Sequence, residues 1–500
     1  MLDIRFCFLL FAKHLVMFRL FNFSLFLALF MSLRPVLAQE IIFQKSYDLG
    51  LLTYGKAVVP TPADNGFLVA GAVYRDTTTS WDYFLLKTDV DGDSLWSRIG
   101  AAPGDEQLTC IRPHPGGGYV AGGFTYYQTA GEDDAILIRF DDNGEELWRT
   151  QLGGSGYDFI QSMEFLPDNA LLLLGGESNK ITLKKLDAGG SILWEKFYGN
   201  NTWNTPGDVE LLPDGGFALT GTLQLPTSGA DLEMLIIRTD SLGNVIWQKI
   251  VGSSPDYDEA FAIKAMPDGR LLVAGYRQQP LTNQAVILQF DAAGNRLVDL
   301  PIGYALDDYF IDIEALDDQY VFIGGVQSPD PDTNLVYNSN GFFVGVNNDC
   351  DTLWSLEVDN HDFQFYNDAC RSHDGGVVAT GSRRIYWTAT DWSDTIGVCL
   401  VKINGFPSVP SGATDPFAAQ ARLYPNPTSG FCTLDLPEGL DADSRIEVFG
   451  VAGNLVRTIP VAGGAHSAAL DFTGLAPGVY HCIIRSNRQP YAPFSFILVP

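Results

Sequence analysis

Acidic and aromatic residues recur together along this chain at intervals of about fifty residues: Asp105-Glu106, Tyr157-Asp158, Trp203-Asn204, Tyr257-Asp258-Glu259, Asp307-Asp308-Tyr309 and Tyr366-Asn367-Asp368. An aromatic ring can lie against the C–H face of a sugar. A carboxylate accepts hydrogen bonds from hydroxyl groups or holds a hard cation. These residues are therefore the candidate ligand-binding set, and Tyr126-Tyr127, Tyr386-Trp387 and Trp392 are expected to share their face. The competing role is local, because Asp and Asn side chains also cap backbone amides at turns.

Other chemistry is sparse. Asp89, Asp91 and Asp93 alternate as the first ligands of a calcium loop do, but the twelfth position, where a bidentate Glu belongs, is Gly100. Asp and Gly are also what a tight hairpin turn requires. The spacing is compatible with a bound Ca2+, and nothing else in the chain calls for a metal or cofactor. There is no Gly-x-Ser-x-Gly elbow and no His-Glu-x-x-His motif. The histidines beyond the leader, His114, His361, His373, His466 and His481, do not cluster. A hydrolytic reading would need two of the acids to converge in an enclosed site, one with a raised pKa.

The elements that position these residues repeat. An apolar run ending in Gly appears at Gly71, Gly122, Gly175, Gly221, Gly275, Gly324 and Gly381. A second apolar strand follows each, usually with a basic residue and an Asp turn. A third opens on Trp96, Trp148, Trp194, Trp247 or Trp354, with Leu297 in that place in the fifth copy. A fourth leads into turns such as Pro213-Asp214-Gly215. Four strands per unit without helical periodicity predict an all-β fold: a seven-bladed β-propeller over 39–405. The last copy lacks its Trp strand, and Ile41-Ile42-Phe43-Gln44-Lys45 supplies a strand before the first copy, so the circle is expected to close through the N-terminus. The Trp series is expected to pack between sheets.

Beyond a Pro/Ser/Gly/Ala linker at 406–420, alternating runs (Thr433–Leu436, Ile446–Phe449, Leu455–Ile459) predict a small antiparallel β-sandwich of roughly seven strands. Gly453-Asn454 is a hairpin turn signal. At the front, Phe21–Met31 is an apolar core followed by Val36-Leu37-Ala38, the pattern of a signal peptide cut after Ala38, with Met17 a natural alternative start. Removing residues 1–38 takes the formal charge from −29 to about −32, which argues against nucleic acid and anionic membrane as partners. No later stretch is apolar enough to span a bilayer. The cysteines beyond the leader include no Cys-x-x-Cys pair. In an exported protein Cys432–Cys482 or Cys370–Cys399 could pair, and buried free thiols are the alternative.

The tail residues Tyr424, Pro425, Asn426, Pro427, Gly430, Gly453, Gly478 and Tyr480 resemble the C-terminal sorting domain of type IX secretion cargo over about 421–500. The resemblance implies export through the periplasm to the cell surface or medium, with the type IX machinery as a partner. The Gly-Gly, Asp-turn, Trp order of the repeats looks like kelch-type blades and like the repetitive propellers joined to such tails. The residues favour a non-enzymatic module that binds glycan or a surface protein. A structural surface protein without a specific ligand, and a propeller glycosidase or lyase, are the alternatives.

Overall fold

The computed structural model describes residues 39–75, 80–100, 104–126, 133–154, 156–200, 202–225, 231–252, 257–279, 282–303, 307–329, 337–358, 364–388, 391–404, 422–424, 430–435, 445–450, 455–460, 467–475, 478–485 and 494–498. The signal-peptide and linker expectations, and Pro425, Asn426, Pro427, Gly453 and Tyr127, lie outside these residues.

Every regular element among the described residues is a strand, and none is a helix. The first are β1 (Glu40–Tyr47), β2 (Leu52–Thr61), β3 (Gly66–Tyr74), β4 (Trp81–Thr88) and β5 (Ser94–Ile99). Four-stranded antiparallel sheets follow, each in chain order. One is β6 (Asp105–Pro113), β7 (Tyr119–Tyr126), β8 (Asp133–Phe140) and β9 (Glu146–Leu152). The next is β10 (Asp158–Phe165), β11 (Leu171–Glu177), β12 (Lys180–Leu186) and β13 (Ile192–Tyr198). Then come β14 (Asn204–Leu211), β15 (Phe217–Gln224), β16 (Leu232–Thr239) and β17 (Val245–Val251). After them stand β18 (Asp258–Ala265), β19 (Leu271–Gln278), β20 (Asn283–Phe290) and β21 (Arg296–Ile302). The fifth is β22 (Tyr309–Ala315), β23 (Tyr320–Pro329), β24 (Tyr337–Val346) and β25 (Thr352–Val358). The strands β26 (Gln364–Arg371), β27 (Val377–Thr388) and β28 (Asp391–Asn404) join β2–β5 in one sheet, in the order β26-β27-β28-β2-β3-β4-β5, through a single parallel bridge between Leu52 and Ile396. The N-terminal strand β1 also pairs with β28.

The arrangement is propeller-like. First strands contact one another in sequence, β2 to β6, β10, β14, β18, β22 and β26, and β26 contacts β2. The core lies between neighbouring sheets, as when Phe43, Val58, Val69 and Phe84 pack with Cys370, Val378, Val398 and Leu400.

The repeating Gly has a steric cause. Each first strand carries a β-bulge at the same place, for instance between Gly55 and Ala57 and between Phe310 and Asp312. The bulge pushes a backbone carbonyl against the second strand. A Cβ on Gly71 would lie 1.9 Å from the Tyr54 carbonyl oxygen, and one on Gly324 would lie 1.8 Å from that of Tyr309. No side chain fits there. In the second copy the position belongs to Gly123, 1.9 Å from the Gln107 oxygen, and not to Gly122 as the apolar run implied.

The Trp series packs across sheet boundaries. A Cβ on Gly144 would meet the Trp96 ring at 2.5 Å, and Gly243 and Gly294 stand in the same way against Trp194 and Trp247. Trp354 is buried, whereas Trp148 is exposed. The fifth copy departs from expectation: Val298 pairs with Gln289 as Trp247 pairs with Arg238, so Val298 holds the Trp place and Leu297 faces solvent.

The Asp turns are hairpins tied by the Asp side chain. Asp89 Oδ1 accepts the N–H groups of Asp91 (3.0 Å) and Asp93 (2.7 Å), and Asp141, Asp187, Asp240 and Asp291 do the same in their units. Asn347 makes the same pair of bonds without a charge. The role needs an acceptor oxygen rather than a carboxylate. Asp89→Asn should therefore leave stability within about 0.5 kcal/mol of wild type, with or without added Ca2+, in thermal unfolding. A calcium-dependent rise in Tm lost in the variant would restore the cation reading.

The tail has β29 (Arg422–Tyr424), β30 (Phe431–Asp435), β31 (Arg445–Gly450), β32 (Leu455–Pro460), β33 (Ser467–Asp471), β34 (Gly478–Arg485) and β35 (Phe494–Leu498). They form two sheets, β29-β30-β33 and β32-β31-β34-β35, and one apolar cluster draws Cys432, Leu434, Leu470, Ile446, Val448, Tyr480 and Cys482 from both. Tyr424 ends β29, Gly478 opens β34, and the Gly430 carbonyl accepts the Phe472 N–H at 2.7 Å.

Cys110, Cys350, Cys370, Cys399, Cys432 and Cys482 are buried free thiols. Neither bridge weighed from the sequence forms. Cys370 and Cys399 sit on β26 and β28 with β27 between them, too far apart for a disulfide. Cys432 and Cys482 share the tail core as thiols, and burial pushes Cys432 up to about 12.

Candidate functional site

Counting back from each bulge sorts the candidate residues by register. Three residues before it stand Thr53, Glu106, Asp158, Asn204, Asp258, Asp308 and Gln364, every one buried. These polar groups are held by the protein itself. Glu106 accepts Arg149 Nη1 at 2.6 Å, Asp258 accepts the Gln278 N–H at 3.0 Å, and Asp308 accepts the Gln327 N–H at 3.2 Å. Asp158 accepts the Gly154 N–H, and Asn204 donates to the Asn179 carbonyl at 2.7 Å. Buried acids in such positions organise the loops above them.

One position earlier the side chains turn outward. Tyr157 is 61% exposed, Trp203 48% and Tyr257 37%, with half-buried Asp105 and Asp307 on either side. The two Asp residues are partly committed, since Asp105 accepts the Trp81 N–H and Asp307 the Asn283 N–H, each at 2.8 Å. Trp203 and Tyr257 are gripped identically. Gln224 and Gln278 each donate a backbone N–H to the aromatic residue's carbonyl at 3.0 Å, while their side-chain oxygens accept its N–H at 3.3 and 3.0 Å. A two-point clamp of this kind fixes the backbone that presents each ring.

The remaining candidates lie deeper. Tyr309 lies against Gly325 with its hydroxyl bonded to Ser339. Tyr366 is buried, packs on Phe343 with ring centroids 5.4 Å apart, and accepts Gln364 Nε2 at 2.7 Å. Asp368 joins distant strands: its Oδ2 accepts the Val58 N–H at 2.7 Å, while Asn367 Nδ2 donates to the Gly55 carbonyl at 2.7 Å. Asp312 does the same to Ala369 (2.7 Å) and Asp208 to Ile263 (3.3 Å), each reaching the next first strand at the equivalent register. The structure thus brings Asp105, Tyr157, Trp203, Tyr257 and Asp307 into one register row and puts Glu106, Asp158, Asp258, Asp308, Tyr309, Tyr366 and Asp368 into the framework beneath. Tyr126 ends β7 half-buried, and the side chains of Tyr386, Trp387 and Trp392 lie outside the described residues.

Two features escaped the sequence reading. One is a run of half-buried rings on the first and last units, Tyr74–Trp81 (5.5 Å), Trp81–Tyr54 (5.4 Å) and Tyr54–Phe365 (6.4 Å). The Trp81 N–H bond to Asp105 places this run beside the outward row. The other is a half-buried set of charges further along the first strands. Arg112 pairs with Glu164 at 3.5 Å and Lys264 with Glu210 at 3.3 Å, in company with Asp208, Asp312, Glu314 and Asp368. Burial raises Glu314 to about 8; Lys264 and Arg112 pull it down while Asp312 and Glu210 push it up. Burial, with Asp312 next, also holds Asp368 well above the usual carboxylate range. Their spacing from the bulge could have revealed the set, since Arg112, Glu164, Glu210, Lys264 and Glu314 share one register position.

Residues 422–493 match the secretion system C-terminal sorting domain. The chain is therefore cargo of the type IX secretion machinery, exported to the cell surface or the extracellular space. Among the described residues, no helix is long and apolar enough to cross a membrane. No curated protein matches the chain. Among solved structures it is similar to a protein of unknown function from Dyadobacter fermentans (12% identity, TM-score 0.45, 73% of this chain and 100% of that one). It is also similar to Sqt1 of Chaetomium thermophilum (13%, 0.42, 72% and 98%) and to Drosophila Plexin A in complex with Semaphorin 1b (8%, 0.40, 73% and 87%).

Proposed function

We propose that this protein is a non-enzymatic binding module for glycan or a surface protein. In this reading a signal peptide (1–38) precedes a seven-bladed β-propeller (39–405) closed by its N-terminal strand. A linker (406–420) then leads to a sorting domain (421–500) built as a β-sandwich. The cycle of contacts among first strands, the pairing of β1 with β28, and the core shared by the two tail sheets support this architecture.

The observation that carries the functional reading is the split between neighbouring register positions. The acids of the buried position are held on backbone amides and an arginine, and the most exposed residues of the outward position are aromatic. Such a row suits recognition rather than proton transfer. Hydrolysis is the second reading, because Glu314 is a half-buried carboxyl among other charges with a raised pKa. One screen separates the two: glycan-array binding by the mature chain, with product analysis of every glycan bound. Binding without cleavage supports the module. Cleavage abolished by Glu314→Gln would replace it with a hydrolase, and a chain that binds no glycan or surface protein would be structural.

A further inference from the structure

We propose that the outward row formed by Tyr157, Trp203 and Tyr257 binds an uncharged glycan chain that runs across the row with its sugar faces stacked on the aromatic rings. This rests on the reading of the row as a binding site and adds the ligand class. Three observations carry it.

The three rings occupy one register position in three consecutive sheets, whose first strands β10, β14 and β18 touch in order. A row of rings on neighbouring strands suits an extended ligand, and a chain of sugars offers apolar C–H faces along its length. The same register position in the flanking sheets is Asp105 and Asp307, which bounds the row at both ends with hydrogen-bond acceptors.

The backbone that presents two of the three rings is fixed before the ligand arrives. The Gln224 and Gln278 clamps hold Trp203 and Tyr257 by both backbone polar groups, so little conformational freedom is lost on binding.

The charge distribution selects against an anionic chain. Several basic side chains of the surrounding strands are paired with acids: Arg149 with Glu106 and Glu146, Lys184 with Glu177 and Glu195, and Arg277 with Asp299. The bounding residues are carboxylates, and the protein as a whole carries a large negative charge that repels polyanions. Aromatic faces and acceptor oxygens remain, which is what neutral hydroxyl-bearing rings require.

The test uses the full mature chain from Gln39 to Pro500. Calorimetric titration with neutral gluco-, xylo- and manno-oligosaccharides of increasing length is compared with uronic-acid oligosaccharides. The expected result is binding of at least one neutral series, tightening with length until the chain spans the row, and weakened about tenfold by Trp203→Ala. Trp148→Ala, which alters an exposed Trp on the fourth strand of another sheet, should leave affinity unchanged. Preference for the uronic series, or a Trp203→Ala variant that binds as wild type does, overturns the proposal. If no glycan binds but a surface protein does, and Trp203→Ala releases it, the ligand class is wrong while the binding site stands. If nothing binds, both fall.

Discussion

A mature chain lacking Ile41–Tyr47 should unfold at a clearly lower urea midpoint than the intact chain, and Phe43→Ala alone should lower stability by about 3 kcal/mol. The strand β1 reproduces, from a remote part of the chain, the contacts that fourth strands make elsewhere. Phe43 stands over Gly92 as Trp194 stands over Gly243. Lys45 reaches Asp93 at 2.8 Å as Lys196 reaches Asn244 at 3.0 Å. The Tyr47 hydroxyl donates to the Gly92 carbonyl at 2.5 Å as that of Tyr198 donates to Gly243 at 2.7 Å. Among the described strands, only β1 makes these contacts without being the direct chain continuation of its neighbouring strand, so removing it bares the edge of β28 and one side of the cluster around Phe67, Phe84 and Leu400. Phe43 itself is buried. Urea unfolding followed by Trp fluorescence reads the outcome. An unchanged midpoint after deletion would mean that the sheet holds without its N-terminal strand.

Glu314→Gln should stabilise the protein above neutrality and flatten the pH dependence of its stability. The carboxyl titrates near 4.5 in the unfolded chain and near 8 in the fold, chiefly through burial. Between those values the folded state holds a proton that the unfolded state has released. Stability from this group is thus complete below about pH 4.5, falls as pH climbs, and is gone above about pH 8. Each pH unit of separation is worth about 1.4 kcal/mol, so the loss across the window is a few kcal/mol. The groups facing Glu314 are Lys264 and Arg112, which oppose the shift, and Asp312 and Glu210, which reinforce it. Asp312 and Asp368 are raised too and add losses of the same sign. Carboxylates such as Asp64, whose pKa is lowered with Lys87 and Thr61 as partners, act oppositely and lose their contribution only in acid. The sum is a maximum in mildly acidic solution. Equilibrium unfolding from pH 5 to pH 9 tests it: wild type and Glu314→Gln should agree at pH 5 and diverge upward. Parallel curves would show that Glu314 is charged throughout.

Much of this was legible in one dimension. Strand periodicity and turn chemistry are local, so the repeats, the Asp turns and the β pattern of the tail could be read directly. The Gly that ends each apolar run was visible, but its cause, a bulge carbonyl on the adjacent strand, was not, and this is why Gly122 was read where Gly123 stands. The exchange of Leu297 for Val298 has the same origin: register is set by pairing with β20, whereas the apolar residues look alike in sequence.

The candidate site shows the limit more sharply. Adjacent residues of a strand face opposite ways, so a shift of one position separates a rim residue from a buried one. In Tyr157-Asp158 and Tyr257-Asp258 the sequence supplied both partners and no means of telling which faced out. By itself it determined that the chain is all-β, repetitive, acidic and addressed for export, because those properties reside in composition and short-range pattern. Only the tertiary structure decided that the acids cap backbone amides while the aromatic rings face outward. It also decided that Asp368 bonds to Val58, 310 positions away, and that the surroundings of Glu314 push its carboxyl pKa up. Those outcomes depend on groups brought together from distant first strands, and on how far water is shut out between them.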